Sequence, residues 1–184
     1  MKRVLAWGGM LLFVAGLAAC SRGPGELLAD GRAAIAEIGK PLPDSVIVSA
    51  GITSLREFTT KFAEDAKADS AYYLLGTLYG ATRQDADAGL TFMALIDNYP
   101  SSPLRAKALV LASQAFENVK RYGEARACMQ TLMADYPTHE FVAGGSAKWL
   151  LMNIGKEPEQ WQAQFGADST SPSASRPVAT RPAR

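Results

Sequence analysis

The sequence predicts an all-α fold, a short solenoid of stacked helical hairpins, and three observations carry that prediction. First, Tyr72, Leu75, Gly76, Tyr79, Ala88, Phe92 and Tyr99-Pro100 return as Leu109, Ala112, Ser113, Phe116, Ala125, Met129 and Tyr136-Pro137, every pair 37 residues apart. Second, the opening four positions of each unit fall at i, i+3, i+4 and i+7, which places them on one helix face. Third, each unit closes on a proline, which cannot continue the helical hydrogen-bond ladder and biases the residue before it away from helix. A hairpin of this kind keeps a spare apolar side that only stacking on a neighbour can bury.

Taken in chain order, a first helix is expected from near Glu26. Sliding the 37-residue frame backwards finds a worn copy of the unit in Ile35, Ile38, Gly39 and Leu42, then Gly51, Leu55 and Phe58, with Pro41 and Pro43 cutting its first helix short. Ser54 and Glu57 have capping-box spacing, which starts the second helix at Leu55 and carries it over 55–64. The β-branched run Val46 to Val48 also suits extended backbone, so residues 43–53 stay open between the two. In the first full unit Gly76 and Ala88 lack bulk where two helices cross, and Phe92 fills the space beside them. Asp85 and Asp87 sit at the start of that unit's second helix, where acidic residues favour the dipole. The link Tyr99-Pro100-Ser101-Ser102-Pro103 supplies Ser102 as N-cap and Pro103 as first helical residue of the next unit. Sliding the frame forwards puts Ser146, Trp149, Leu150 and Asn153 on the core face of a terminal helix. A last short helix from near Pro158 aligns Trp161 and Phe165, four apart, to close the stack or to face a partner.

The pattern of bulky residue, leucine and glycine, aromatic, alanine, aromatic and proline resembles the tetratricopeptide repeat. That family's usual unit is about 34 residues. The longer Tyr-Pro-Ser-Ser-Pro link is similar to the one in BamD-type lipoproteins of the outer-membrane barrel-assembly machine and in the coordinator protein of the Tol-Pal system. The resemblance implies a right-handed solenoid over residues 26–165, with two full repeats at 69–142 and degenerate ones on either side. It also implies a groove lined from the first helices, which falls here on Tyr73, Thr77, Lys107, Val110, Gln114, Asn118, Ala147 and Leu151. The occupant it implies is a protein or peptide segment, with no cofactor and no small-molecule substrate.

The N-terminus reads differently. Lys2 and Arg3 precede an apolar run from Val4 to Leu17, which suits a signal-peptide core and is shorter than the roughly 20 residues of a spanning helix. Leu17-Ala18-Ala19-Cys20 resembles the lipobox of bacterial lipoproteins, so residues 1–19 are expected to be removed and Cys20 to carry diacylglyceryl and acyl chains. Residues 20–25 then form a lipidated tether. Ser21, where the family pattern for inner-membrane retention has aspartate, implies the outer membrane of a Gram-negative cell. With Cys20 acylated, Cys128 has no disulfide partner and is expected as a buried, inert thiol beside Met129. Residues 166–184, rich in Ser, Thr, Pro and Ala with Arg176, Arg181 and Arg184, have no periodic apolar face and are expected to be disordered. Their arginines suit either a solubilising role or contact with an anionic surface.

Chemistry-bearing motifs do not emerge. His139 is the single histidine and lies in a link between repeats, no Cys/His cluster has zinc spacing, and no glycine-rich phosphate loop is present. Gly144-Gly145 is an isolated pair. Without Lys2 and Arg3 the basic residues number 17 against 18 acidic, which does not suit an electrostatic nucleic-acid binder. The expectation is therefore a non-catalytic scaffold that is anchored by lipid and holds another envelope protein within an outer-membrane assembly or secretion machine. A pilotin-like lipoprotein that escorts a secretin or pilus subunit to the outer membrane is the alternative.

Overall fold

The structure is a computed structural model that describes residues 22–156. Among the described residues it contains eight α-helices and no strand. They are α1 (Pro24–Ile38), α2 (Ser45–Lys61), α3 (Ala68–Ala81), α4 (Asp85–Asn98), α5 (Arg105–Asn118), α6 (Tyr122–Asp135), the single turn α7 (Glu140–Ala143) and α8 (Ser146–Asn153). Consecutive helices pack as antiparallel hairpins, each hairpin against the next, and one continuous core runs from Leu27 to Ile154. This is the all-helical, tetratricopeptide-like stack that the 37-residue recurrence predicts.

The two central hairpins follow the expected physics closely. A Cβ placed on Gly76 would come within 2.7 Å of the Phe92 ring, so the missing side chain is what lets α3 and α4 approach. Gly89 repeats the device between repeats, since its Cβ would meet the Phe116 ring at 2.7 Å. Ser113 replaces the glycine in the second unit, and its buried hydroxyl donates to the Ala125 carbonyl at 3.0 Å, which satisfies a polar group that would otherwise be costly to bury. Both hairpins turn on a non-glycine residue in the left-handed region, Arg83 and Lys120, each with φ 62° and again 37 residues apart. The following N–H closes onto the last turn in both, Gln84 to the Tyr79 carbonyl and Arg121 to the Phe116 carbonyl at 2.8 Å.

Links between repeats are held by side chains. Tyr99 donates its hydroxyl to the Ala63 carbonyl at 2.7 Å, and the Ser102 hydroxyl donates to Asp69 at 2.6 Å. Ser102 also accepts the Leu104 N–H, the bond expected of a cap, but α5 begins only at Arg105 because residues 103–104 form a turn first. Arg105 reaches the Ile96 carbonyl, Asp135 and the Tyr136 hydroxyl, fastening both ends of the second repeat.

Departures from the sequence reading lie at the two ends. Helix α2 starts at Ser45, with the Asp44 carboxylate accepting the Val46 N–H at 2.8 Å, so residues 45–53 are helical and the β-branched run is overruled by a good N-cap. Helix α1 starts at Pro24, in the segment expected as tether. Its packing glycine is Gly31, whose Cβ would lie 2.6 Å from Leu55, and not Gly39, which only ends the helix. Leu55 and Gly51 do occupy the positions the frame assigned. The crossing residues of the first hairpin are therefore eight further apart in sequence than those of its successors, since Gly31 and Leu55 are 24 apart while Gly76 and Phe92 are 16 apart.

Helix α8 is displaced by one residue. Ala147 is fully buried and Ile154 nearly so, while Ser146 and Trp149 face outwards; of the expected core positions Asn153 is buried and Leu150 half-buried. Leu109, Ala112, Ser113 and Phe116 thus map onto Ala147, Leu150, Leu151 and Ile154 at a spacing of 38, not 37. The extra residue is absorbed where α7 ends and Gly145 takes φ 79°, a conformation suited to glycine. Pro158, Trp161, Phe165, Cys20 and the tail lie outside the described residues.

Candidate functional site

Helices α3 and α5 present neighbouring faces, and between them lies a cleft of about 310 Å³. Phe92 and Ala115 give it an apolar floor, Leu111 a wall, and Thr77, Gln114 and Asn118 its polar groups. The cleft exists because Gly76, Gly80 and Ala88 carry almost no side chain there, so the spacing that closes the hairpin also leaves room beside it. Asn118 donates to Asp85 at 3.0 Å, bridging the end of α5 to the start of α4. Thr77 turns its hydroxyl onto the Tyr73 carbonyl at 2.8 Å. Gln114 is exposed and its side chain makes no hydrogen bond with another described residue, so its amide is available to an extended backbone.

Of the eight groove positions expected from the sequence, the structure brings three, Thr77, Gln114 and Asn118, round this cleft. Tyr73 is half-buried one turn earlier on α3, its ring 6.1 Å from that of Phe92. Lys107 is exposed and Val110 half-buried towards the start of α5. Ala147 is a correction: with no exposed surface it belongs to the core and cannot line a groove. Leu151 is half-buried, as Val110 is, at the position equivalent to Ser113. A spacing of 38 moves the equivalents of Val110 and Gln114 to Lys148 and Met152, both exposed, and Met152 keeps 52% of its surface. The Gly144-Gly145 pair was the available signal that the frame slips here.

The opposite side carries a cleft of about 390 Å³ between α4 and α6, floored by Leu109, Phe116 and Cys128. Most of its charged rim is internally paired: Arg105 pairs with Asp135, and Arg121 pairs with Glu124 at 2.7 Å while lying over the Phe116 ring, with Asp97 exposed beside them. Cys128 is a free thiol at 3% exposure, and burial pushes its pKa up to about 11. At neutral pH it is a protonated, unreactive group. His139 accepts the Phe141 N–H through Nδ1 and so caps α7. Among the described residues no group of three or more His, Cys, Asp or Glu side chains is placed to hold a metal ion, and no helix is long and apolar enough to cross a membrane.

Two stacked hairpins with small residues at their crossings and a cleft between consecutive first helices define a helical-repeat interaction module. A family model described as tetratricopeptide repeat matches residues 70–102, which span α3, α4 and the start of the following link. The chain therefore contains a tetratricopeptide repeat, a fold that serves generally as a protein-interaction scaffold. No curated protein matches the chain.

Proposed function

We propose that the protein is a scaffold of the bacterial cell envelope, anchored through lipid on Cys20, that holds a segment of another envelope protein along the faces of α3, α5 and α8. The observation that carries this reading is the cleft of Thr77, Leu111, Gln114 and Asn118, which joins an apolar floor to a free side-chain amide. Such a surface suits a peptide that contributes both backbone hydrogen bonds and an apolar side chain. The lipobox-like Leu17-Ala18-Ala19-Cys20 supports the anchor.

Photo-crosslinking residues at Gln114 and Met152 test the surface, with Leu90 on the opposite side as control. The same partner captured from both, in stoichiometric yield, is expected. Capture from Leu90 alone would move the site to the other side. Mass spectrometry of the extracted protein tests the anchor separately, since the mature N-terminal peptide should begin at Cys20 and carry diacylglyceryl mass.

A further inference from the structure

The described chain opens on a clamp. Arg22 donates through Nη1 to Asp30 at 2.8 Å and to Ser54 at 3.0 Å, and through Nη2 to Glu57 at 2.8 Å. Ser54 is buried and donates in turn to Asp30 at 2.7 Å. One guanidinium thus spans α1 and α2 immediately ahead of the first helix. A fork of this geometry is specific to arginine.

Cys20 is two residues away. Two residues of extended chain reach about 7 Å, so an acylated Cys20 brings the clamp to the level of the lipid headgroups. The segment expected as a tether is too short to act as one. What faces the bilayer is then decided by the surface around Glu57. Val46, Ala50, Thr53 and Glu57 are spaced four, three and four apart along one stripe of α2, and the first three are exposed. About 16 Å from Glu57 the stripe ends in Val46, beside Ile47 and the α1–α2 corner residue Leu42. These three side chains are 72%, 39% and 89% exposed. Glu57, the one carboxylate on the stripe, is neutralised by Arg22 and by Lys61 at 2.8 Å, and the Asp44 carboxylate at the corner is engaged in capping Val46.

We propose that this face of the first hairpin lies on the bilayer, with Leu42, Val46 and Ile47 entering the interface as a second point of attachment. The inference rests on the lipid anchor proposed above. Three aliphatic side chains are too few to hold a domain to a membrane alone. Behind an anchor the contact becomes intramolecular, and a weak affinity is enough to populate it. The clamp turns the anchor into a mount with one preferred pose.

The acylated full-length protein, reconstituted in vesicles of phosphatidylethanolamine and phosphatidylglycerol, tests this with an environment-sensitive dye at Leu42→Cys or, as control, Asn118→Cys, in a Cys128→Ala background. Acylation of each sample is verified by intact mass. A lipid-borne quencher is expected to reduce emission at position 42 at least threefold more than at 118, and Arg22→Ala, with its fold checked by circular dichroism, is expected to abolish that contrast. Equal quenching at the two positions in verified acylated protein overturns the proposal and leaves the anchor standing. A contrast that survives Arg22→Ala overturns the mounting role of the clamp. An unacylated N-terminus removes the anchor and the proposal together. Lipid-independent dimerisation lost in Leu42→Asp assigns the face to a second copy and overturns the proposal.

Discussion

Gly76→Ala isolates the contact on which the repeat is built. Adding one methyl to a helix interior ordinarily stabilises, because alanine exceeds glycine in helix propensity by about 0.8 to 1.0 kcal/mol. At Gly76 the new Cβ would lie 2.7, 2.8 and 2.9 Å from three atoms of the Phe92 ring, against an ordinary contact of 3.4 to 4 Å. The ring is nearly fully buried against α3, so the helices separate by several tenths of an ångström or the ring is pushed towards the cleft it floors. Overpacking of this kind costs about 1 to 3 kcal/mol, which exceeds the propensity gain. Net destabilisation of about 0 to 2 kcal/mol is expected. Gly25→Ala is the control, since its Cβ meets nothing within 4 Å and only propensity remains. The two substitutions should therefore differ by about 1 to 3 kcal/mol in urea or thermal unfolding of the Cys20→Ser protein. Adding Phe92→Leu to Gly76→Ala should recover part of the difference by opening space. If Gly76→Ala stabilises as much as Gly25→Ala, the close-approach account of the α3–α4 crossing is wrong.

Other expectations follow from the same geometry. Lys120→Gly should stabilise by about 0.5 to 1 kcal/mol in chemical denaturation, because relief of a left-handed non-glycine residue exceeds the added chain entropy. Ala147→Asp should destabilise by several kcal/mol while Lys148→Asp and Met152→Asp stay within about 0.5, and comparable melting temperatures for the three would contradict the 38-residue register. Cys128, with a pKa of about 11 against an unfolded value near 9, should react with a thiol reagent at pH 8 about 100-fold more slowly in the native state than in urea. The raised value also sets a sign: the neutral thiol's contribution to stability is complete below about pH 9 and is lost as pH rises towards 11, which unfolding midpoints across that range will show.

The middle of the molecule was legible because its packing residues repeat. Gly76, Ala88 and Phe92 named their own contact, and Pro100 and Pro137 marked where helices end. The turns were harder to read, since Arg83 and Lys120 adopt left-handed backbone without the glycine that usually signals it. At the N-terminal end periodicity misled, because Ile35, Ile38, Gly39 and Leu42 fit the frame while Asp44 offered a better cap and drew α2 back to Ser45. A cap is a local bond worth about 1 kcal/mol, and summed β-propensity over three residues does not outweigh it. At the C-terminal end a single added residue turned α8 by about 100°, burying Ala147 and Ile154 and exposing Ser146 and Trp149 while Leu150 and Asn153 stayed on the inner side. Thr77, Gln114 and Asn118 line the cleft because they lie on the C-terminal halves of α3 and α5, whereas Tyr73, Lys107 and Val110, equally in register, lie nearer the helix starts. Ala147 lies in the core instead, because its assignment was carried across the slip.

Two repeats in register lie between ends that are both out of it. An unmodified tetratricopeptide unit is complementary to itself, so a stack of identical units has no intrinsic reason to stop, and head-to-tail contact between chains would extend it into a filament. Here the leading hairpin spaces its crossing residues eight further apart than the unit it precedes, and the last described helix is rotated by one residue. A second molecule offering its α1–α2 hairpin to the α8 end would present Gly31 where a neighbour's 37-residue frame needs Gly39, against a helix whose Ser146 and Trp149 point the wrong way. Neither end of the described stack therefore offers a copy of itself the 37-residue register that joins the two central repeats.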